Sequence, residues 1–180
     1  MALLNNENIK LRALEPEDLN VLYQWENNTE LWTIGNTIAP YSKYQLKEFI
    51  SNADQDIFTS KQLRLMIESN ANGEPIGCID LYEFDAFHQK AGIGIMIDEK
   101  SRNRGIAMQT LELLIEYAFS FLKLHQLYCY IPENNKVSTT LFEKAGFVQS
   151  GKLTDWIRTI DGYSDVYVYQ LIAKKQSESY

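Results

Sequence analysis

The residues best placed to do chemistry lie in one short stretch, Ile93-Gly94-Ile95-Met96-Ile97-Asp98-Glu99-Lys100-Ser101-Arg102-Asn103-Arg104-Gly105-Ile106-Ala107. An apolar run bounded by glycine and acidic residues reads as a buried strand, here over residues 93–98. A basic turn follows, then an amphipathic segment that reads as a long helix over residues 107–122. A strand feeding a helix through such a turn aims several backbone N–H groups, and the positive end of the helix dipole, at one spot. Arg102 and Arg104 add side-chain cations there. The chemistry this suits is the holding of a phosphate or pyrophosphate, and so of a phosphorylated cofactor.

The spacing Arg102-x-x-Gly105-x-Ala107 is not that of the common nucleotide loops. There is no G-x-x-x-x-G-K-[ST] loop and no G-x-G-x-x-G opening a first strand–helix unit. Cys78 and Cys129 sit in apolar strand-like runs and read as buried thiols, not as a disulfide or a metal pair. His88 and His125 have no metal-ligand spacing, so no metal is expected. The formal charge of −7 argues against nucleic acid as a partner. It suits a cationic substrate through steering, or simply solubility.

The elements that must position the basic turn can be read along the chain. Residues 8–14 alternate as a strand, and Pro16 suits the start of a helix carrying Leu19, Leu22, Tyr23 and Trp25. Ser42-Lys43-Tyr44-Gln45 reads as a capping box opening a second helix with Leu46, Phe49 and Ile50 inside. Residues 62–69 and 75–84 read as strands joined across Asn72-Gly73. Beyond the long helix come a strand at 126–131 and a short helix at 136–145 stopped by Gly146. Strands at 148–157 and 164–172 then close a last hairpin across Asp161-Gly162. At 180 residues, with no repeat or linker, one domain over residues 1–173 is expected, with a polar tail at 174–180. No apolar run approaches membrane-spanning length and no signal peptide is visible, so a cytoplasmic location is expected, without a membrane partner.

The basic turn resembles the [Q/R]-x-x-G-x-[G/A] pyrophosphate loop of the GNAT superfamily of acetyl-coenzyme A-dependent N-acetyltransferases. A second block supports the resemblance: Asn135-Lys136-Val137-Ser138, followed by Leu141-Phe142-Glu143-Lys144-Ala145-Gly146-Phe147, looks like the family's N-x-x-[SA]-x-x-[LF]-[YF]-E-x-x-G-F. The element order matches over nearly the whole chain. Residues 117–125 and the hairpin Asp161-Gly162-Tyr163-Ser164-Asp165 are most similar to the acetyltransferases of ribosomal-protein termini and polyamines.

The resemblance implies a mixed, mostly antiparallel central sheet with helices on both faces. It also implies transfer of acetyl from acetyl-coenzyme A to a primary amine by direct attack in a ternary complex. The acceptor would be a polyamine, a small amine or a peptide amino terminus. Strand 93–98 would splay from strand 126–131, so that backbone groups of Ile95, Met96 and Ile97 bind pantetheine and an N–H at Ile95 polarises the thioester. Arg102, Asn103, Arg104, Gly105, Ile106 and Ala107 would hold the pyrophosphate. Asn135, Ser138 and Phe142 match further positions beside the cofactor.

Two side chains that many relatives use are missing: the tyrosine proton donor is Phe142, and the glutamate base is Gly92. A thiol can leave as thiolate, so the first loss is modest. An alkylamine with a pKa of about 10.4 is protonated at neutral pH, so removing its proton matters more. Asp80, Glu83 and His88 are the candidate bases, with Asp85 beside them. Trp32, Tyr41, Tyr44, Trp156 and Tyr163 are candidate acceptor-site residues, with Glu26 and Glu30 as cation partners. A cofactor-binding sensor or degenerate scaffold is the alternative function. A homodimer through exposed aromatic hairpins such as 164–172 is a further expectation.

Overall fold

A computed structural model describes residues 3–35, 37–53 and 56–174; most of the expected polar tail lies outside them. Seven strands form one sheet in the order β1-β2-β3-β4-β5-β7-β6, with β1 (Ile9–Arg12), β2 (Leu63–Ser69), β3 (Pro75–Asp85), β4 (Lys90–Ile97), β5 (Gln126–Pro132), β6 (Val148–Thr159) and β7 (Gly162–Ile172). Every pairing is antiparallel except β4 with β5.

Strand alternation sends alternate side chains to opposite faces. On one face Ile79, Leu81, Ala91, Ile93, Leu127, Cys129 and Ile131 pack with Leu111, Leu113 and Leu114 of α5 (Ile106–Glu116) and Phe142 of α6 (Lys136–Lys144). On the other, Met66, Cys78 and Met96 meet Leu22 and Trp25 of α1 (Leu19–Glu26) and Leu46 of α3 (Lys43–Ser51). The mixed sheet with helices on both faces is therefore as expected. Ser42 and Gln45 form the anticipated capping box.

Several boundaries differ from the sequence reading. Two helices, α2 (Thr29–Gly35) and α4 (Ile57–Ser60), were not anticipated; they are too short for an apolar period to show. The long helix stops at Glu116 and continues through one wider π turn, Tyr117–Phe121, which stacks Tyr117 on Phe121. Strand β4 begins at Lys90, ahead of the glycines that read as its boundary, because pairing with β3 and β5 overrides their weak strand preference. Strand β7 lies between β5 and β6, so the last hairpin keeps one free edge. That edge belongs to β6.

Candidate functional site

The site is built from a fork in the sheet. Strands β4 and β5 pair only at Lys90 with Gln126, Ala91 with Leu127 and Gly92 with Tyr128. Beyond Gly92, β4 continues along β3 as far as Ile97 without β5. The amide of Asp98 donates to the carbonyl of Ile76 at 2.9 Å. In an antiparallel ladder hydrogen-bonded residues alternate, so Met96 and Gly94 face β3 with their amides and carbonyls. Ile93, Ile95 and Ile97 turn theirs into the fork. Of the expected backbone trio, Ile95 and Ile97 therefore present polar groups to the opening. Met96 does not: its backbone serves the β3 ladder and its side chain packs toward α1 and α3.

The basic turn closes the open end of β4. Residues Glu99–Ser101 make one 3-10 turn; Asn103 and Gly105 then have φ of 60° and 73°, and α5 starts at Ile106. The first amides of that helix have no residue one turn back to accept them. Arg102 Nε donates to the Ile97 carbonyl at 3.0 Å, folding the turn back over the strand end. Arg102, Asn103, Arg104 and Gly105 are exposed, while Ile106 and Ala107 are half-buried. A Cβ on Gly105 would meet only Gln109 Nε2, at 3.9 Å, so the space above the turn is open. Two exposed cations, unpaired helix amides and free β4 groups in line fit a pyrophosphate followed by a pantetheine arm.

Asn135 caps α6 by accepting the Ser138 amide at 3.1 Å, and both are half-buried. Phe142 does not take the cofactor-lining place expected of it. It is 3 % exposed, its ring set edge-on to Phe147 with centroids 5.1 Å apart, so it belongs to the core and not to a cofactor surface.

The carboxylates separate by position. Asp80 lies opposite Gly94 and opposite Arg64 of β2. Both its oxygens accept from Arg64, at 2.7 and 2.9 Å, and Glu26 of α1 takes the third guanidinium nitrogen. Both oxygens of Asp80 are thus already engaged, and the trio ties α1 to the sheet. Glu83 sits in a bulge of β3 with φ of 49°, and its Oε2 accepts from the Tyr128 hydroxyl at 2.6 Å. His88 is exposed in the β3–β4 turn. Ile95 lies five residues beyond Lys90, about 16 Å along the strand, so His88 is remote from the fork.

Asp85 also belongs to that turn, accepting the His88 amide at 2.9 Å.

The aromatic expectations divide likewise. Trp32 donates to the Glu26 carbonyl at 2.8 Å, and Tyr44 donates to Glu48. Tyr163 is exposed on the β6–β7 hairpin, which runs past Pro132 on the open side of the fork, and Trp156 is exposed on β6. Glu26 is already held by Arg64, and Glu30 is exposed. Sequence reasoning missed Arg64, Tyr82, Tyr128 and Tyr130. Their signals were an arginine inside an apolar strand and tyrosines at i and i+2 of β5.

Comparison with known proteins agrees with this geometry. The profile of the Acetyltransferase (GNAT) domain matches residues 8–148. The spermidine N(1)-acetyltransferase of Vibrio cholerae serotype O1 is 27% identical over 94% of this chain and 96% of its own. The ribosomal-protein-serine acetyltransferase of Escherichia coli K12 is 23% identical over 95% and 96%. Among solved structures, the Vibrio cholerae spermidine N-acetyltransferase in complex with CoA and spermine superposes with a TM-score of 0.84 at 26% identity, covering 93% of this chain and 96% of that one. With the profile spanning most of the chain and the forked sheet beside its basic turn, the protein belongs to the GNAT family and is an acetyl-coenzyme A-dependent N-acetyltransferase.

Proposed function

We propose that this enzyme acetylates a primary amine of a polyamine, in a complex that holds donor and acceptor together. The observation that carries the reading is the fork, with the Ile95 amide free beside the basic turn. One face of the fork is closed by α5. The other carries Glu26, Asp80 and Glu83 against the single guanidinium of Arg64. That excess of negative charge suits a cation with several amines. The similarity to spermidine acetyltransferases over nearly the full chain supports the same acceptor class.

In this reading the residues from Arg102 to Ala107 hold the pyrophosphate, and Asn135 and Ser138 line the pantetheine arm. The Ile95 N–H faces the thioester oxygen; such a donor is worth about 3 kcal/mol to an acyl transfer. Phe142 gives no proton, so sulfur leaves as the thiolate. Asp80 keeps Arg64 and α1 in place, and Glu83 is the carboxylate left to receive the amine proton.

The test is release of free thiol from acetyl-coenzyme A across spermidine, spermine, aminoglycosides, amino acids and amino-terminal peptides. Spermidine and spermine are expected to exceed peptides in kcat/KM by about 100-fold. A higher value for an amino-terminal peptide would reassign the acceptor. Tight acetyl-coenzyme A binding with no thiol released would favour a non-catalytic scaffold.

A further inference from the structure

Gly92 is the last residue of β4 that pairs with β5, so it marks the apex of the fork, and its partner there is Tyr128. The space above Gly92 is not empty. A Cβ at this position would fall 2.2 Å from Cε2 and 2.4 Å from Cζ of Tyr82. Tyr82 therefore lies across the strand and meets Tyr128 edge-on at 6.1 Å between centroids, and Tyr128 in turn meets Tyr130 at 5.6 Å. Three phenols thus cross the apex on the face opposite α5.

Beneath this strip the chain holds a costly arrangement. Glu83 is a non-glycine residue in the left-handed region, at a bulge between Tyr82 and Asp85. Such backbone persists where surrounding structure compels it, and it concentrates at working sites. The bulge brings the Glu83 carboxylate across β4 to the Tyr128 hydroxyl, 2.6 Å away. A side chain at position 92 would push Tyr82 aside.

We propose that Tyr128 is a catalytic residue, taking the proton of the acceptor ammonium while passing its own to Glu83. This rests on the acceptor reading above and deepens it. The order follows from the chemistry. An alkylammonium has a pKa of about 10.4, so its proton can pass through a phenol provided a phenolate need not accumulate. It does not need to, because burial, and then the hydrogen bond and charge of Glu83, push the Tyr128 hydroxyl above its ordinary range. The phenol therefore gives its proton to Glu83 as it receives the substrate's. The neutral amine nitrogen then forms a bond to the acetyl carbon as the carbon–sulfur bond breaks. The sulfur leaves as the thiolate, which then takes up the nitrogen's second proton, and Glu83, which is exposed, returns its proton to water. Glu83 acts through Tyr128 and is its positioning and relay partner.

The experiment compares Tyr128→Phe, Glu83→Gln and the double variant for spermidine turnover, acetyl-coenzyme A binding by titration calorimetry, and Tm. Glutamine still accepts the phenolic hydrogen bond but not its proton, so Glu83→Gln separates a relay from a structural link. Each single variant is expected to lose about 100-fold in kcat. KM, cofactor affinity and Tm should stay within threefold or a few degrees of wild type, and the double variant should lose no more than either single. Overturning results are a Glu83→Gln enzyme within threefold of wild type, losses that multiply, or losses matched by falls in cofactor binding or Tm. A wild type that binds acetyl-coenzyme A yet acetylates no amine overturns the acceptor reading and this relay together.

Discussion

Gly105 stands at φ of 73° with open space above it. Two separate penalties follow from placing a side chain there. The backbone would carry strain of about 1–2 kcal/mol in the protein alone. The side chain would also project over the turn, where the proposed pyrophosphate contacts converge. Gly105→Val is therefore expected to weaken acetyl-coenzyme A binding at least about tenfold. The same variant should lower stability by no more than the backbone strain, as read by calorimetry and by urea unfolding. Unchanged affinity would remove the turn from the cofactor site. At the same scale, Asp80 shows how a single carboxylate changes meaning. An acidic residue in an apolar strand suggested a base; its two bonds to Arg64 make it a strut.

Elements are fastened to one another by ion networks. Arg12 of β1 reaches Asp18 in the turn before α1, at 2.7 and 2.9 Å, and also engages Glu68 of β2. Asp18 is 4 % exposed and accepts the Glu15 amide at 2.9 Å. Burial alone would raise its pKa, but the Arg12 hydrogen bond and the Glu15 amide outweigh it and hold the carboxyl below its ordinary value. A carboxyl depressed in the folded state contributes stability above its unfolded pKa, about 3.9. That contribution is lost as pH falls through the folded value. Asp18→Asn should therefore cost about 1–3 kcal/mol at pH 7. The difference from wild type should shrink as pH drops below about 4, measured by urea unfolding at both pH values. A constant difference would mean that the charge of Asp18 plays no part in holding β1 to α1.

At the scale of the whole molecule, the net charge of −7 and the acidic side of the fork would act together on the proposed cationic acceptor. Steering of this kind is screened within a Debye length of about 8 Å at physiological salt. Raising ionic strength from low to about 0.5 M should lower kcat/KM for spermidine by about tenfold, and for a monoamine by much less. Equal salt dependence for the two amines would show that the acidic surface serves solubility alone. No helix among the described residues is long and apolar enough to cross a membrane.

The features legible in the sequence are those whose physics is local. A glycine required by a left-handed cap, the Ser42–Gln45 capping box and an Asn-Gly turn each declare themselves within a few residues. Strand alternation and helical period then place the elements, and together these reached the family's fold and its basic turn. What only the tertiary structure decided is which distant side chains meet. Glu83 and Tyr128 are 45 residues apart, and Asp80 and Arg64 are 16 apart. Their contact depends on register, on a bulge in β3 and on the missing side chain at Gly92. Register and bulges arise from the packing of the whole sheet, so no short window of residues encodes them.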